Sequence, residues 1–181
     1  MNTSSYKTVK SGALSILYFN ACSLLPKIDE LRALSLAHKP HLICVVETWL
    51  DNNIKDCEIH IENYDSIRLD RNRHGGGVMF FVIKSLSYNV ILSGPSDLEF
   101  IVLQIKSFYC TFTVGLFYRP PNAPVCIFDN LLNSLCSQVD VSLLSNFILL
   151  GDFNINMTNP HSHLYSKIQS FALSLCLTGC L

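Results

Sequence analysis

The chain has 181 residues, of which 49% are hydrophobic and 15% charged, and its net charge is −1. This length suits one domain with a substantial core, and the near-zero net charge excludes a general attraction to nucleic acid, so any such attraction has to be local. The apolar runs are much shorter than the roughly 20 residues of a membrane-spanning helix. Residues 1–11 also lack the apolar core of a signal peptide. We therefore expect an intracellular protein, nuclear or cytoplasmic, that makes no contact with a membrane.

The first half of the chain alternates short apolar runs with one helical pattern. Strands are predicted over residues 14–19, 41–46, 64–69 and 78–83. Pro26 opens a predicted helix over residues 26–37, whose apolar face consists of Ile28, Leu31, Leu34 and Leu36. A flexible turn, Gly75 to Gly77, precedes the fourth strand.

The second half is richer in strands and has two helical patterns. Strands are predicted over residues 87–92, 100–106, 111–117 and 147–150, and helices over residues 124–139 and 162–175. The strands 100–106 and 111–117 flank a short turn near Phe108, which predicts a hairpin. Together the elements predict a layered α/β domain over residues 14–181, after a polar tail of residues 1–13.

The eight cysteines form no Cys-x-x-Cys pair, and several lie inside apolar runs. Because nothing in the sequence indicates an oxidising compartment, we expect reduced thiols rather than a disulfide framework. His161 and His163 precede Cys176 and Cys180, but their spacing fits no common zinc site.

Polar residues recur at the carboxyl ends of four predicted strands. They are Asn20, Glu47, the pair Tyr118 and Arg119, and the pair Asp152 and Asn154. In layered α/β folds, ligands bind at such strand ends. A single residue of this kind is usually a helix cap or a solvated group, but four such positions together favour a functional site.

The residue types suit the chemistry of phosphate esters. Glu47 could hold Mg²⁺, a hard cation that takes one or two carboxylates together with phosphate and water. Asp152 could orient or deprotonate an attacking water molecule. Hydrogen bonds from Asn20, Tyr118 and Asn154 could stabilise the phosphate oxygens as negative charge develops on them.

Basic residues surround the glycine turn. Arg68, Arg71, Arg73 and His74 precede it, and they could contact a nucleic-acid backbone. An ordinary solvated loop is the alternative interpretation of these four residues. Arg119, at the end of its strand, is a further candidate for contact with nucleic acid.

Five segments carry a resemblance to a known family, in the family's order and at similar spacing. They are Asn20 to Leu24, Val46-Glu47-Thr48-Trp49-Leu50, Arg71 to Val78, Phe117-Tyr118-Arg119-Pro120-Pro121, and Gly151-Asp152-Phe153-Asn154. From about Leu14 onward the chain resembles the endonuclease/exonuclease/phosphatase superfamily. Within it, the likeness is greatest to the apurinic-type endonuclease domain of non-LTR (LINE-type) retrotransposons.

The resemblance implies a four-layer α/β sandwich, in which helices flank two packed mixed sheets, and a Mg²⁺-dependent hydrolysis of phosphodiester bonds. Glu47 matches the family's metal ligand, and Tyr118 matches its tyrosine at the phosphate. Asn20, Asp152 and Asn154 match its active-site Asn and Asp-x-Asn residues. In such retrotransposons the domain nicks the target DNA for insertion, and a reverse transcriptase domain accompanies it in the full-length polyprotein.

The sequence departs from the family after Asp152, since no Asp or Glu follows and neither His161 nor His163 matches the family's terminal Ser-Asp-His motif. We therefore expect a copy of the domain that lacks its C-terminal strands, with weak or absent nicking and only weak Mg²⁺ binding. Two alternatives remain open. One is a non-catalytic, retrotransposon-derived relic, and the other is a phosphodiesterase that acts on a lipid or inositol phosphate. Trp49-Leu50 and the basic loop favour a DNA endonuclease over the second alternative.

Overall fold

The computed structural model of the chain describes residues 14–94, 99–107, 110–124, 126–138, 146–156, 159 and 161–174. The chain divides into two compact units, one up to Ser87 and the other from Tyr88 onward. The predicted polar tail of residues 1–13 lies outside the described residues.

The first unit contains one mixed four-stranded sheet and one helix. Its elements are β1 (Ile16–Asn20), α1 (Ile28–His38), β2 (Leu42–Val46), β3 (Tyr64–Leu69) and β4 (Val78–Ile83). The strand order is β1-β2-β4-β3. β1 and β2 are parallel, whereas β4 is antiparallel to both β2 and β3. All five residues of β2 are buried, as expected for a central strand that is apolar at every position.

Helix α1 follows a 3₁₀ turn, Leu25–Lys27, and packs Ile28 and Leu31 into the core of the first unit. The sequence-based inclusion of Leu36 in the apolar face was wrong, because this side chain is 75% exposed. At about 100° per residue, the position one turn after Leu31 is Ser35, and Ser35 is the buried residue there.

The second unit contains the other mixed sheet and two helices. Its elements are β5 (Ser87–Ser93), β6 (Glu99–Lys106), β7 (Thr111–Tyr118), α2 (Ile127–Gln138), β8 (Phe147–Asp152) and α3 (His163–Ser174). The strand order is β5-β6-β7-β8. β6 and β7 are antiparallel, whereas β7 and β8 are parallel. Phe117 of the sheet, Leu131 of α2 and Phe171 of α3 belong to one buried cluster.

The α/β class with two mixed sheets is confirmed, and each predicted strand and helix is present with its ends shifted by at most a few residues. The hairpin of β6 and β7 is also confirmed, although its turn at residues 108–109 lies outside the described residues. Within the described part of the chain, no helix combines the length and the apolar character needed to cross a membrane.

Candidate active-site residues

Asn20 and Glu47 lie at one edge of the first sheet. Asn20 ends β1 opposite Val46, the last residue of β2, and Glu47 follows Val46 directly. Backbone pairing continues beyond both strands, since the Ser23 amide donates to the Glu47 carbonyl at 3.0 Å. Asn20 and Glu47 therefore lie side by side at the carboxyl ends of β1 and β2. Asn20 is exposed, and its side-chain oxygen accepts a hydrogen bond from the Cys22 amide at 3.1 Å.

The Glu47 carboxylate is held by two donors. Its Oε2 accepts a hydrogen bond from the Gly76 amide at 2.9 Å and another from the indole Nε1–H of Trp49. Both Glu47 and Trp49 have left-handed backbone conformations, with φ of 56° and 54°. Such conformations are unusual for residues with a side chain, and here they direct the indole of Trp49 back toward the carboxylate two residues earlier.

The glycine turn provides the backbone partner of this segment. The Trp49 amide donates to the Gly76 carbonyl at 3.0 Å, and the Thr48 amide donates to the Gly77 carbonyl at 3.3 Å. At Gly77, φ is 87°, and an added Cβ would lie 2.2 Å from Thr48 Oγ1. Only glycine suits this position. We call the segments 47–49 and 75–77 together the glutamate clasp.

The four basic residues before the turn differ in their surroundings. Arg68 forms ion pairs with Asp70 at 2.8 Å and Asp56 at 3.2 Å, and it donates to two backbone carbonyls. The Nε of Arg71 donates to the Gly75 carbonyl at 3.0 Å. Arg73 and His74 are exposed. The environment of Arg68 therefore indicates a structural role, while Arg73 and His74 are the two members of this group placed at the surface.

Burial raises the pKa of Asp70, although the charge of Arg68 and its hydrogen bond oppose that rise. The negative charges of Asp51 and Asp56 raise the pKa of Asp70 further. Because Asp70 Oδ1 has no hydrogen-bond partner, this ion pair carries an uncompensated buried oxygen.

Tyr118, Asp152 and Asn154 lie at the corresponding edge of the second sheet. Tyr118 and Asp152 end β7 and β8 and are register partners. Asp152 Oδ1 accepts a hydrogen bond from the backbone N–H of Asn154 at 3.0 Å. The side-chain Nδ2 of Asn154 donates to the Arg119 carbonyl at 2.7 Å, so one of its two amide hydrogens serves to connect the chain after β7 to the chain after β8.

Arg119 is buried, with 2% of its surface exposed. Its guanidinium donates to the carbonyls of Phe153 at 3.4 Å and Asn154 at 3.3 Å, and also to that of Ala123. Burial lowers the pKa of Arg119. These contacts indicate that Arg119 ties the segments after β7 and β8 together, and its contact with nucleic acid stays a prediction.

Sequence reasoning did not identify Trp49 as a hydrogen-bond donor to Glu47. The available signal was the position of the chain's one tryptophan, two residues after a candidate metal ligand. Among the described residues, no three His, Cys, Asp or Glu side chains lie close enough together to bind one metal ion jointly.

No family model and no curated protein matches the chain, but many solved structures do. The endonuclease domain of TRAS1, a telomere-specific non-LTR retrotransposon, has a TM-score of 0.64 at 13% identity over 93% of this chain and 75% of its own. An AP endonuclease from Archaeoglobus fulgidus has a TM-score of 0.63 at 15% identity over 91% of this chain and 70% of its own. The AP endonuclease LMAP from Leishmania major has a TM-score of 0.67 at 14% identity over 89% of this chain and 66% of its own.

Identities this low carry information about the fold and not about the reaction. The TM-scores of 0.63–0.67 over 89–93% of this chain show a likeness of fold. The chain therefore shares its fold with these three endonuclease structures, in agreement with the resemblance found in its sequence.

Proposed function

We propose that this chain is a phosphodiester hydrolase domain that acts on DNA with Mg²⁺ as its cofactor. The observation that carries the proposal is the Glu47 carboxylate, which two donors hold at the edge of the sheet that also bears Asn20. A carboxylate fixed in this way by a strained backbone is typical of a residue whose side chain is used.

The donor chemistry at Glu47 fits Mg²⁺. Carboxylate oxygens are hard ligands, and Mg²⁺ keeps several water molecules and often takes only one or two carboxylates from the protein. The half-buried Glu47 offers such a carboxylate. When bound, Mg²⁺ supplies positive charge that offsets the charge of a phosphate group. We expect weak binding by the 181-residue chain, because one carboxylate alone rarely suffices.

The other polar residues receive roles that suit their surroundings. Asp152 orients or deprotonates the attacking water. The backbone N–H of Asn154, which donates to Asp152 Oδ1, sets the direction of this carboxylate. Asn20, Tyr118 and Asn154 are proposed donors to phosphate oxygens. For Asn154 this requires its second amide hydrogen, since the first is committed to the Arg119 carbonyl.

DNA is the proposed substrate because all three structures above are named as endonucleases. Arg73 and His74 are the proposed contacts with the DNA backbone, because both are exposed and lie next to the glutamate clasp in the sequence. Arg68, Arg71 and Arg119 are weaker candidates, since each donates to carbonyls of the chain itself. A reverse transcriptase domain of the same polyprotein is the proposed partner.

Nicking of a supercoiled plasmid by the purified 181-residue chain tests the proposal. The expected signature is weak nicking that requires Mg²⁺ and falls by at least about 100-fold in Glu47→Gln and Asp152→Asn. Glu47→Gln removes the proposed metal ligand, and Asp152→Asn removes a positioned acid–base group, whose loss costs about 10²–10⁴ in rate. Circular dichroism of both variants is the control for correct folding. Arg73→Gln should weaken DNA binding and lower its dependence on salt, because it removes one phosphate contact.

The alternatives predict different outcomes in the same experiment. DNA binding without nicking, unchanged in Glu47→Gln, identifies a non-catalytic relic. Hydrolysis of phosphoinositide vesicles or soluble inositol phosphates, with intact plasmid, identifies a phosphodiesterase of the other substrate class. Either result contradicts the proposed reaction on DNA.

A further inference from the structure

We propose that Trp49 is a positioning residue for the Glu47 carboxylate, and that its indole N–H reports directly on the binding of a divalent cation there. This inference rests on the proposed role of Glu47 as a metal ligand. Trp49 itself touches neither the metal nor the substrate in this proposal, and acts only through Glu47.

The geometry of the glutamate clasp makes the indole part of the carboxylate's support. Oε2 of Glu47 receives both the Trp49 indole N–H and the Gly76 amide, so two donors from different segments fix one oxygen. A carboxylate fixed at one oxygen cannot rotate freely about its last bond. The orientation of the carboxylate is then set, which is what a cation with strict geometry requires.

The backbone around Trp49 is arranged for this contact. Glu47 and Trp49 both adopt positive φ, on either side of the buried Thr48. An extended strand would place side chains two residues apart side by side and perpendicular to the sheet, which does not bring an indole nitrogen onto the preceding carboxylate. The amide of Trp49 is in turn bound to the Gly76 carbonyl at 3.0 Å, so the ring is anchored on the same turn that supplies the second donor.

Two opposing effects decide the sign of the contribution of Trp49. A donor to the carboxylate withdraws electron density and competes with a cation, whereas fixed orientation favours the cation. For metal ligands in proteins, loss of the supporting hydrogen bond typically weakens metal affinity by about 10–100-fold, so orientation dominates. We therefore expect Trp49→Phe, which keeps an aromatic ring and loses the N–H, to weaken the affinity about tenfold.

Trp49 is the one tryptophan of the chain, so a ¹⁵N-labelled sample gives a single indole N–H resonance. Titration with Mg²⁺ should shift this resonance in the wild type, because the cation redistributes charge on its acceptor. In Glu47→Gln the amide oxygen can still accept the hydrogen bond, but the charge is absent, and the resonance should not respond to Mg²⁺.

A second measurement gives affinities that do not depend on tryptophan. Free Mn²⁺, followed by its electron paramagnetic resonance signal, is measured for the wild type, Glu47→Gln, Trp49→Phe and Thr48→Val. Thr48→Val is the matched control, because Thr48 is buried in the same clasp and its hydroxyl has no hydrogen-bond partner. Its affinity should equal that of the wild type.

The outcomes separate this inference from the function on which it rests. Equal Mn²⁺ affinity in Trp49→Phe and Thr48→Val, together with loss of binding in Glu47→Gln, overturns the positioning role and leaves Glu47 as a ligand. Unchanged affinity in Glu47→Gln overturns the metal role itself. If circular dichroism shows that Trp49→Phe is unfolded, the wild-type resonance decides. An indole resonance that stays fixed during the Mg²⁺ titration, although the Mn²⁺ measurement shows binding through Glu47, refutes the inference.

Discussion

The replacement Gly151→Ala should disrupt the end of β8, where Asp152 lies and after which Asn154 follows. A Cβ at position 151 would lie 1.9 Å from the carbonyl oxygen of Phe117 and 2.8 Å from its carbonyl carbon. Phe117 cannot withdraw, because its strand is paired on both sides, with β6 and with β8. Relief of the clash therefore requires β8 to move away from β7.

The cost follows from the contacts that this movement breaks. About two backbone hydrogen bonds are lost at about 1 kcal/mol each, including that from the Arg119 amide to the Asp152 carbonyl at 2.9 Å. The rings of Phe117 and Phe153, whose centroids are 5.3 Å apart, lose a contact worth about 1 kcal/mol. We expect a total of about 3 kcal/mol, which is a large part of the roughly 5–15 kcal/mol that stabilises a typical domain.

Gly115→Ala is the matched control, since it makes the same chemical change on β7. Its Cβ would meet only the side-chain ends of Leu149 at 3.1 Å and Phe147 at 3.2 Å, and such overpacking costs about 1 kcal/mol when the neighbours can shift. Urea unfolding followed by far-ultraviolet circular dichroism measures both variants. A loss in Gly151→Ala that is no greater than the loss in Gly115→Ala would refute the argument from the backbone clash.

Three further predictions concern individual contacts. Gly77→Ala should destabilise the chain by about 1–2 kcal/mol in urea unfolding, because it forces a side chain into positive φ. Gly75→Ala should cost less, since the one close contact of its Cβ, at 2.7 Å, is with the side-chain end of Arg71. Equal losses would contradict this. Arg119→Met should cost about 3 kcal/mol in the same assay, because it leaves three backbone carbonyls without their charged donor, whereas the exposed Arg73→Met should change stability by less than about 0.5 kcal/mol. Because the pKa of Asp70 is raised in the folded protein, its ionised form disfavours folding. The wild type should therefore gain stability relative to Asp70→Asn as the pH falls from about 7 to about 4. A difference in stability between the two proteins that does not change with pH would show that burial does not raise the pKa.

Much of the fold could be predicted because the hydrophobic pattern of each element is locally clear. β2 reads as a continuous apolar run, and its burial in the sheet centre follows directly. The polar residues at strand ends could be located for the same reason. Their hydrogen-bond partners could not be predicted, because the contact of Glu47 with Gly76 joins residues 29 positions apart and depends on the register of β2 and β4.

The arginines show a second limit of sequence reasoning. Arg68 and Arg119 look like residues for nucleic-acid contact, because a charge beside a candidate site suggests a phosphate. In the structure both are engaged by groups of the chain itself, carboxylates for Arg68 and backbone carbonyls for Arg119. An arginine offers five donors in a planar fork, so it suits the joining of irregular segments as well as it suits a phosphate, and only the three-dimensional surroundings distinguish these uses.

Backbone strain is concentrated at the strand ends that carry the candidate residues. Seven non-glycine residues have positive φ in the part of the chain that the structure describes, and five of them come within three residues after the last strand residue of β1, β2 or β8: Cys22, Ser23, Glu47, Trp49 and Asn154. Each such residue costs roughly 1–3 kcal/mol and persists only where its surroundings fix it. If stability alone had shaped position 47, glycine or asparagine would occupy the left-handed conformation at lower cost. A glutamate there, with its carboxylate bound by two donors, is better explained by a use for the carboxylate than by a contribution of Glu47 to folding.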